Sequence, residues 1–151
     1  MSRVDFYHLQ KQTLEDVLPK LLEKAYSSGS KIKVKVGTEA RVDFLNSLLW
    51  TYNDESFLPH GSKKDGAAEL QPIWLSADDD NPNGASMLFL TDEAMLSESD
   101  TEIYTRIFNI FDGNNSEALQ NARDLWKNLR SSGAELHYWQ QDNDGHWAEK
   151  A

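Results

Sequence analysis

Three cations recur on one face of the last predicted helix, and a tryptophan lies beside them. Arg123, Lys127 and Arg130 follow one another at intervals of four and three residues, and Trp126 adjoins them. Residues at these spacings share one face of an α-helix. Guanidinium and ammonium groups bind carboxylates, and arginine and tryptophan are enriched among residues that dominate binding energy. The pattern therefore predicts a site for a ligand that is anionic and partly apolar.

The same residues have a second interpretation, in which the cations are merely solvated and Trp126 turns into the core. A buried stripe is predicted on the same helix at helical spacing, formed by Ala118, Ala122, Leu125 and Leu129. Trp126 is close enough to that stripe to join it. The pattern alone leaves both interpretations open.

A second aromatic cluster follows the second predicted helix. It comprises Trp50, Tyr52, Phe57, Leu58 and Pro59. Aromatic side chains in a loop beside a proline are candidates for an exposed apolar contact patch. The alternative is that they seal the edge of the core.

Residue patterns for nucleotide binding are weak. The segment after the first predicted strand, Gln10–Thr13, has no glycine, and the segment after the second, Gly37–Glu39, has one where a dinucleotide loop needs three. A nucleotide- or metabolite-binding enzyme of Rossmann-like fold remains the alternative function, supported by analogy of fold alone.

Catalytic and metal-binding patterns are also missing. The four histidines occupy separate segments without metal-ligand spacing, at His8, His60, His137 and His146. The run Asp78–Asp80 lacks the alternation of a calcium loop, and no serine lies in a Gly-x-Ser-x-Gly turn. We predict no catalysis, no cofactor and no metal, and we interpret the aspartates as a solvated turn.

Charge and composition narrow the class of partner. The 151 residues carry a net charge of −10, and residues 53–102 account for all of it, with 12 acids against Lys63 and Lys64. This negative charge would repel the phosphates of DNA, so we expect contact with DNA only through other proteins. The absence of cysteine, of a long apolar run and of an export signal predicts a cytoplasmic protein without a membrane span.

Strands and helices alternate along the chain. Strands are predicted at 4–9, 32–36, 72–76, 87–91, 106–111 and 135–139, and helices after Thr13, after Thr38 and over 116–132. This order predicts one domain over residues 1–151, a Rossmann-like three-layer α/β fold with a mostly parallel central sheet.

Three details of these elements are also predicted. Pro19 indicates a kink or a late start of the first helix. The alternation in Ile32–Val36 predicts a strand buried on one face only. In the second helix, the expected core face comprises Ala40, Phe44, Leu45, Leu48 and Leu49.

Four segments in order carry a resemblance to a known family. They are Phe6-Tyr7-His8-Leu9, Leu49-Trp50 with Glu55-Ser56-Phe57-Leu58-Pro59-His60-Gly61, Phe111-Asp112-Gly113 with Ala122-Arg123-Asp124-Leu125-Trp126-Lys127, and Glu135-Leu136-His137-Tyr138-Trp139-Gln140-Gln141-Asp142. Together they closely resemble the chi subunit of bacterial DNA polymerase III, nearly end to end. The region 63–102 matches that family poorly, so no role is assigned to its acidic residues.

The resemblance implies a non-catalytic, Rossmann-like subunit of the clamp-loader assembly with two protein partners. One is the psi subunit, expected at Trp50, Phe57, Pro59 and His60. The other is the acidic, Phe-ended C-terminal tail of single-stranded-DNA-binding protein, expected at Arg123, Trp126 and Lys127, with Arg130 extending the basic face. A third hypothesis places a helicase at the Trp50 and Phe57 surface instead of psi.

One difference from the family bears on affinity for the tail. Some members carry a lysine one turn before the basic residues, and Leu119 or Gln120 stands there in this chain. The resemblance therefore implies a less basic pocket and weaker binding of the tail.

Overall fold

The parallel arrangement expected from alternating strands and helices is present in the computed structural model, which describes residues 2–52 and 58–151. Its strands are β1 (Arg3–Leu9), β2 (Ile32–Val36), β3 (Ile73–Ser76), β4 (Met87–Thr91), β5 (Arg106–Asp112), β6 (Glu135–Gln141) and β7 (Trp147–Glu149). They form one sheet in the order β3-β2-β4-β5-β1-β6-β7. Each neighbouring pair is parallel except β6 and β7, and the short antiparallel β7 was not predicted.

Helices cover both faces of this sheet. They are α1 (Leu14–Ser27), α2 (Glu39–Thr51), the short α3 (Asp100–Ile103) and α4 (Ser116–Ser131), with a 3₁₀ turn at Ala68–Leu70. The core on one face holds α1 and α2, and the core on the other holds α4. The three-layer α/β prediction is confirmed. None of the helices in residues 2–52 and 58–151 is long and apolar enough to cross a membrane.

Local signals fix the ends of the helices. The Thr13 N–H donates to the Asp16 carboxylate at 3.1 Å, so α1 begins at Leu14 and Pro19 lies inside it. A late start of α1 is therefore wrong. Gly29 and Gly133 adopt φ of +87° and +85°, as expected of glycines that end helices.

The outer edge of β3 is covered by the segment that leads into it. Gly61 N–H donates to the Ile73 carbonyl at 3.0 Å, and its own carbonyl accepts from Leu75 N–H at 3.0 Å. The chain at Gly61 therefore acts as a one-residue extension of the sheet.

The prediction for the core face of α2 is wrong in part. Leu45 and Leu49 are buried as expected, but Ala40 and Phe44 point outward and Val42 takes their place. The helix turns its 42–45–49 stripe to the sheet, and the Arg41 guanidinium covers the exposed Phe44 ring at 4.7 Å.

The prediction that β2 is buried on one face only is also wrong. Lys33 has 1% of its surface exposed because the aspartate-rich turn after β3 folds over it. The Lys33 ammonium contacts Ser76 Oγ at 2.6 Å, the Asp78 carbonyl at 2.8 Å, and both the carbonyl and a carboxylate oxygen of Asp80 at 2.7 and 2.6 Å. Burial lowers the pKa of Lys33, and Asp80 opposes that shift. The turn Asp78–Asp80, which was predicted to be merely solvated, thus has a structural role through Asp80.

Candidate protein-binding surfaces

Helix α4 is fixed at its start and along its inner face. The Asn115 side chain accepts from the N–H groups of Glu117 and Ala118, both at 3.0 Å, which caps the first turn. The predicted stripe faces the sheet, with Ala118, Ala122 and Leu129 buried and Leu125 partly buried. The remaining faces of α4 are therefore held at a defined orientation to solvent.

Trp126 combines features of both interpretations. Its ring is partly buried and meets Phe6 and Tyr138 edge to face, with centroids 5.3 and 5.8 Å apart. Phe6 and Tyr138 stack on one another at 6.3 Å. The tryptophan is thus supported by the sheet and still presents part of its ring to solvent.

The cations beside Trp126 are exposed. Arg123 lies one turn before Trp126 and Arg130 one turn after it, and Lys127 is the next residue. Within residues 2–52 and 58–151, no ion pair engages any of these three side chains. We call Arg123, Trp126, Lys127 and Arg130 the α4 basic face.

His8 supports this face and was not predicted to do so. The ring is buried, its Nδ1 lies 2.7 Å from the Tyr138 hydroxyl, and its Nε2 has no hydrogen-bond partner among the described residues. Burial lowers the pKa of His8, and the positive charge of Arg123 lowers it further. A Cβ at Gly113 would lie 1.9 Å from His8 Nε2, so the ring fits only because residue 113 is glycine.

The second predicted surface lies at the end of α2. Trp50 is 47% exposed, and its ring lies over His60 with centroids 4.2 Å apart. His60 is buried, with its Nδ1 2.6 Å from the Leu58 carbonyl and its Nε2 3.0 Å from the Asn46 carbonyl. Trp50 is therefore the outer member of this pair, and His60 supports it from below.

The rest of this cluster is placed as follows. Pro59 is partly buried next to His60, and Phe57 lies outside the described residues. We call Trp50, Pro59 and His60 the Trp50 surface. It belongs to the α2 layer and the α4 basic face to the opposite layer, so the sheet separates the two.

Sequence comparison assigns the family. The family described as "DNA polymerase III chi subunit, HolC" matches residues 1–137. The chain belongs to this family. A Rickettsia prowazekii protein named "Probable DNA polymerase III subunit chi" is 32% identical over 111 residues, which cover 72% of this chain and 66% of that protein. The Pseudomonas aeruginosa "DNA polymerase III subunit chi" is 31% identical over 98 residues, which cover 62% of this chain and 68% of that protein.

Membership of the chi family confirms the resemblance drawn from the motifs. The names of the family and of both relatives describe a subunit of DNA polymerase III. The matches span about two thirds of the length of the two relatives.

A cavity lies where a Rossmann-like fold would bind a ligand, at the carboxyl ends of β1, β4 and β5. Its volume is about 550 Å³. Arg41 projects into it but is already paired with Glu15 and, at 3.0 Å, with Asp92. Glu93 and Asp112 add two more negative charges to the lining, and Lys11 adds one positive charge. An excess of carboxylates disfavours a phosphate here, which weakens the nucleotide-binding alternative.

One exposed group brings potential metal ligands together. Asp142, Asp144 and His146 place one ligand atom each within 4.8 Å of one another in the turn between β6 and β7. The Asp142 carboxylate already accepts from the backbone N–H groups of Asp144 and His146, both at 2.9 Å. These contacts shape the turn and account for the grouping without an ion.

Proposed function

We propose that this chi-family protein is a non-catalytic replication adaptor in the cytoplasm. The α4 basic face would bind the acidic, Phe-ended C-terminal tail of single-stranded-DNA-binding protein. The Trp50 surface would bind the psi subunit and so join the clamp loader. The observation that supports binding of the tail is a set of exposed cations around Trp126, without an ion pair among the described residues, in a protein with a net charge of −10.

The chemistry of the α4 basic face suits such a tail. Arg123 and Arg130 bracket Trp126 along the helix, so carboxylates can pair with guanidinium groups on either side of an aromatic surface. The apolar end of the tail would pack on the exposed part of the Trp126 ring. Because Phe6 and Tyr138 already hold that ring, little side-chain freedom is lost on binding.

We predict that Arg123→Ala and Trp126→Ala each lower affinity for a labelled tail peptide about tenfold. The first removes a charged hydrogen-bond donor and the second removes the apolar contact. Fluorescence anisotropy at two salt concentrations measures both effects, and wild-type binding should weaken as salt rises. Lys20→Ala, an equal loss of charge on α1, is the control and should bind as wild type does. Equal affinity for all four proteins would refute the assignment.

We predict that Trp50→Ala lowers affinity for purified psi about tenfold, because a half-exposed tryptophan supported from below is a typical anchor of an interface. Phe44→Ala is a matched control, since Phe44 is 49% exposed on another face of the same helix. Isothermal titration calorimetry of both variants with psi shows which face of α2, that of Trp50 or that of Phe44, contributes to binding. A larger loss for Phe44→Ala than for Trp50→Ala would place the psi contact elsewhere on α2.

A further inference from the structure

The flank of α4 that faces away from Trp126 borders a groove of about 280 Å³. Apolar side chains from β5 and α4 form its floor, among them Phe111, Ala122 and Leu125. The segment after β4 forms the opposite wall, where Met95 is 68% exposed. We call this the Met95 groove.

The wall that carries Met95 is held in place by several contacts. The chain turns out of β4 through two consecutive residues in the left-handed region, Asp92 at φ +50° and Glu93 at φ +65°, a conformation that side chains rarely adopt. Arg41 holds the Asp92 carboxylate at 3.0 Å, and the Lys35 ammonium donates to the Met95 carbonyl at 2.6 Å. The exposed methionine is therefore presented by a preformed wall.

The charge around the Met95 groove is negative. Glu93 and Asp124 border the groove and are exposed, and none of the described residues that line it is lysine or arginine. The nearby Lys35 ammonium is already bound to Asp79 and to the Met95 carbonyl. An acidic peptide would be repelled here, whereas a cationic one would be attracted.

We propose that the Met95 groove is a docking site for a basic segment of a partner protein. A large apolar side chain of that segment would enter between Met95 and Leu125. Lysine or arginine residues on either side of it would pair with Glu93 and Asp124. Helix α4 then carries two sites of opposite charge preference, one on each flank, and this second site does not depend on the proposed binding of the acidic tail.

A defined probe tests the proposal: a labelled amphipathic peptide of about 12 residues built from leucine and lysine, long enough for a few helical turns. We expect saturable binding to the wild type and an affinity at least tenfold lower for the double variant Glu93→Lys/Asp124→Lys. Glu69→Lys/Glu102→Lys, an equal change of charge at two exposed carboxylates outside the groove, is the control and should change the affinity less than twofold. A cooperative thermal unfolding transition is required of each variant, as the check that it is folded.

Backbone amide shifts provide a second measurement that needs no variant. When the leucine–lysine peptide binds, the largest changes in the NMR chemical shifts of backbone amides should fall on residues 93–96 and on the turns of α4 that contain Ala122 and Leu125. A version of the peptide with glutamate in place of lysine should cause none there. Shifts centred on the α4 basic face, equal affinity for the double variant Glu93→Lys/Asp124→Lys, or no saturation up to about 1 mM would each overturn the proposal.

Discussion

Lys33→Met should lower the free energy of unfolding by about 3 kcal/mol, the scale observed when one member of a buried ion pair is removed. The ammonium of Lys33 contacts a hydroxyl, two carbonyls and a carboxylate beneath the aspartate-rich turn. Methionine fills a similar volume but donates no hydrogen bond. The polar atoms of Ser76, Asp78 and Asp80 would then lose their shared donor. Urea unfolding followed by circular dichroism measures the change.

Lys63→Met is the control for this result. Lys63 pairs with Asp78 of the same turn at 2.8 Å, but its side chain is 61% exposed. Exposed pairs of this kind are screened by solvent and contribute little to stability, so the control should be nearly neutral. A similar loss of stability in both variants would show that burial of Lys33 is not the cause.

Gly113→Ala should destabilise the protein by about 2 kcal/mol, within the range for inserting atoms into a packed site. The new methyl group would lie 1.9 Å from His8 Nε2 and 2.7 Å from the Leu9 carbonyl, so the ring or the turn must move. Because His8 contacts Tyr138 and Tyr138 contacts Trp126, affinity for the tail peptide should fall as well.

The double variant Gly113→Ala/His8→Ala tests the source of that effect. Removing the imidazole makes room for the new methyl group, so the double variant should be more stable than the sum of the two single losses predicts. Thermal and urea unfolding of the wild type, the two single variants and the double variant complete the double-mutant cycle. Strictly additive losses would mean that the methyl group clashes with the backbone at Leu9 and not with His8.

The parts of the fold that were predictable from sequence depend on near neighbours in the chain. The cap at Thr13 and the glycine at the end of α1 follow from patterns a few residues long, and the mostly parallel sheet follows from the alternation of strands and helices along the chain. The inner stripe and the basic residues of α4 were found for the same reason, since helical spacing alone brings them together.

The parts that were not predictable depend on contacts between distant residues. Lys33 looked like a solvent-facing residue because its neighbours alternate, and only the turn at 78–80, more than 40 residues on, buries it. His8 reaches its partner Tyr138 across 130 residues. The rotation of α2, which exposes Phe44, is set by how its other side fits the sheet, and no local pattern records that fit.

The ends of the sheet have a consequence for self-association. An unpaired edge strand offers free N–H and carbonyl groups to any other strand, including one from a second copy of the same chain. Here Gly61 pairs with the outer side of β3, and the three-residue β7 runs antiparallel beyond β6. Both edges are therefore short or already paired. Copies of this chain at high concentration would have little opportunity to join edge to edge, which leaves the helical faces for other proteins.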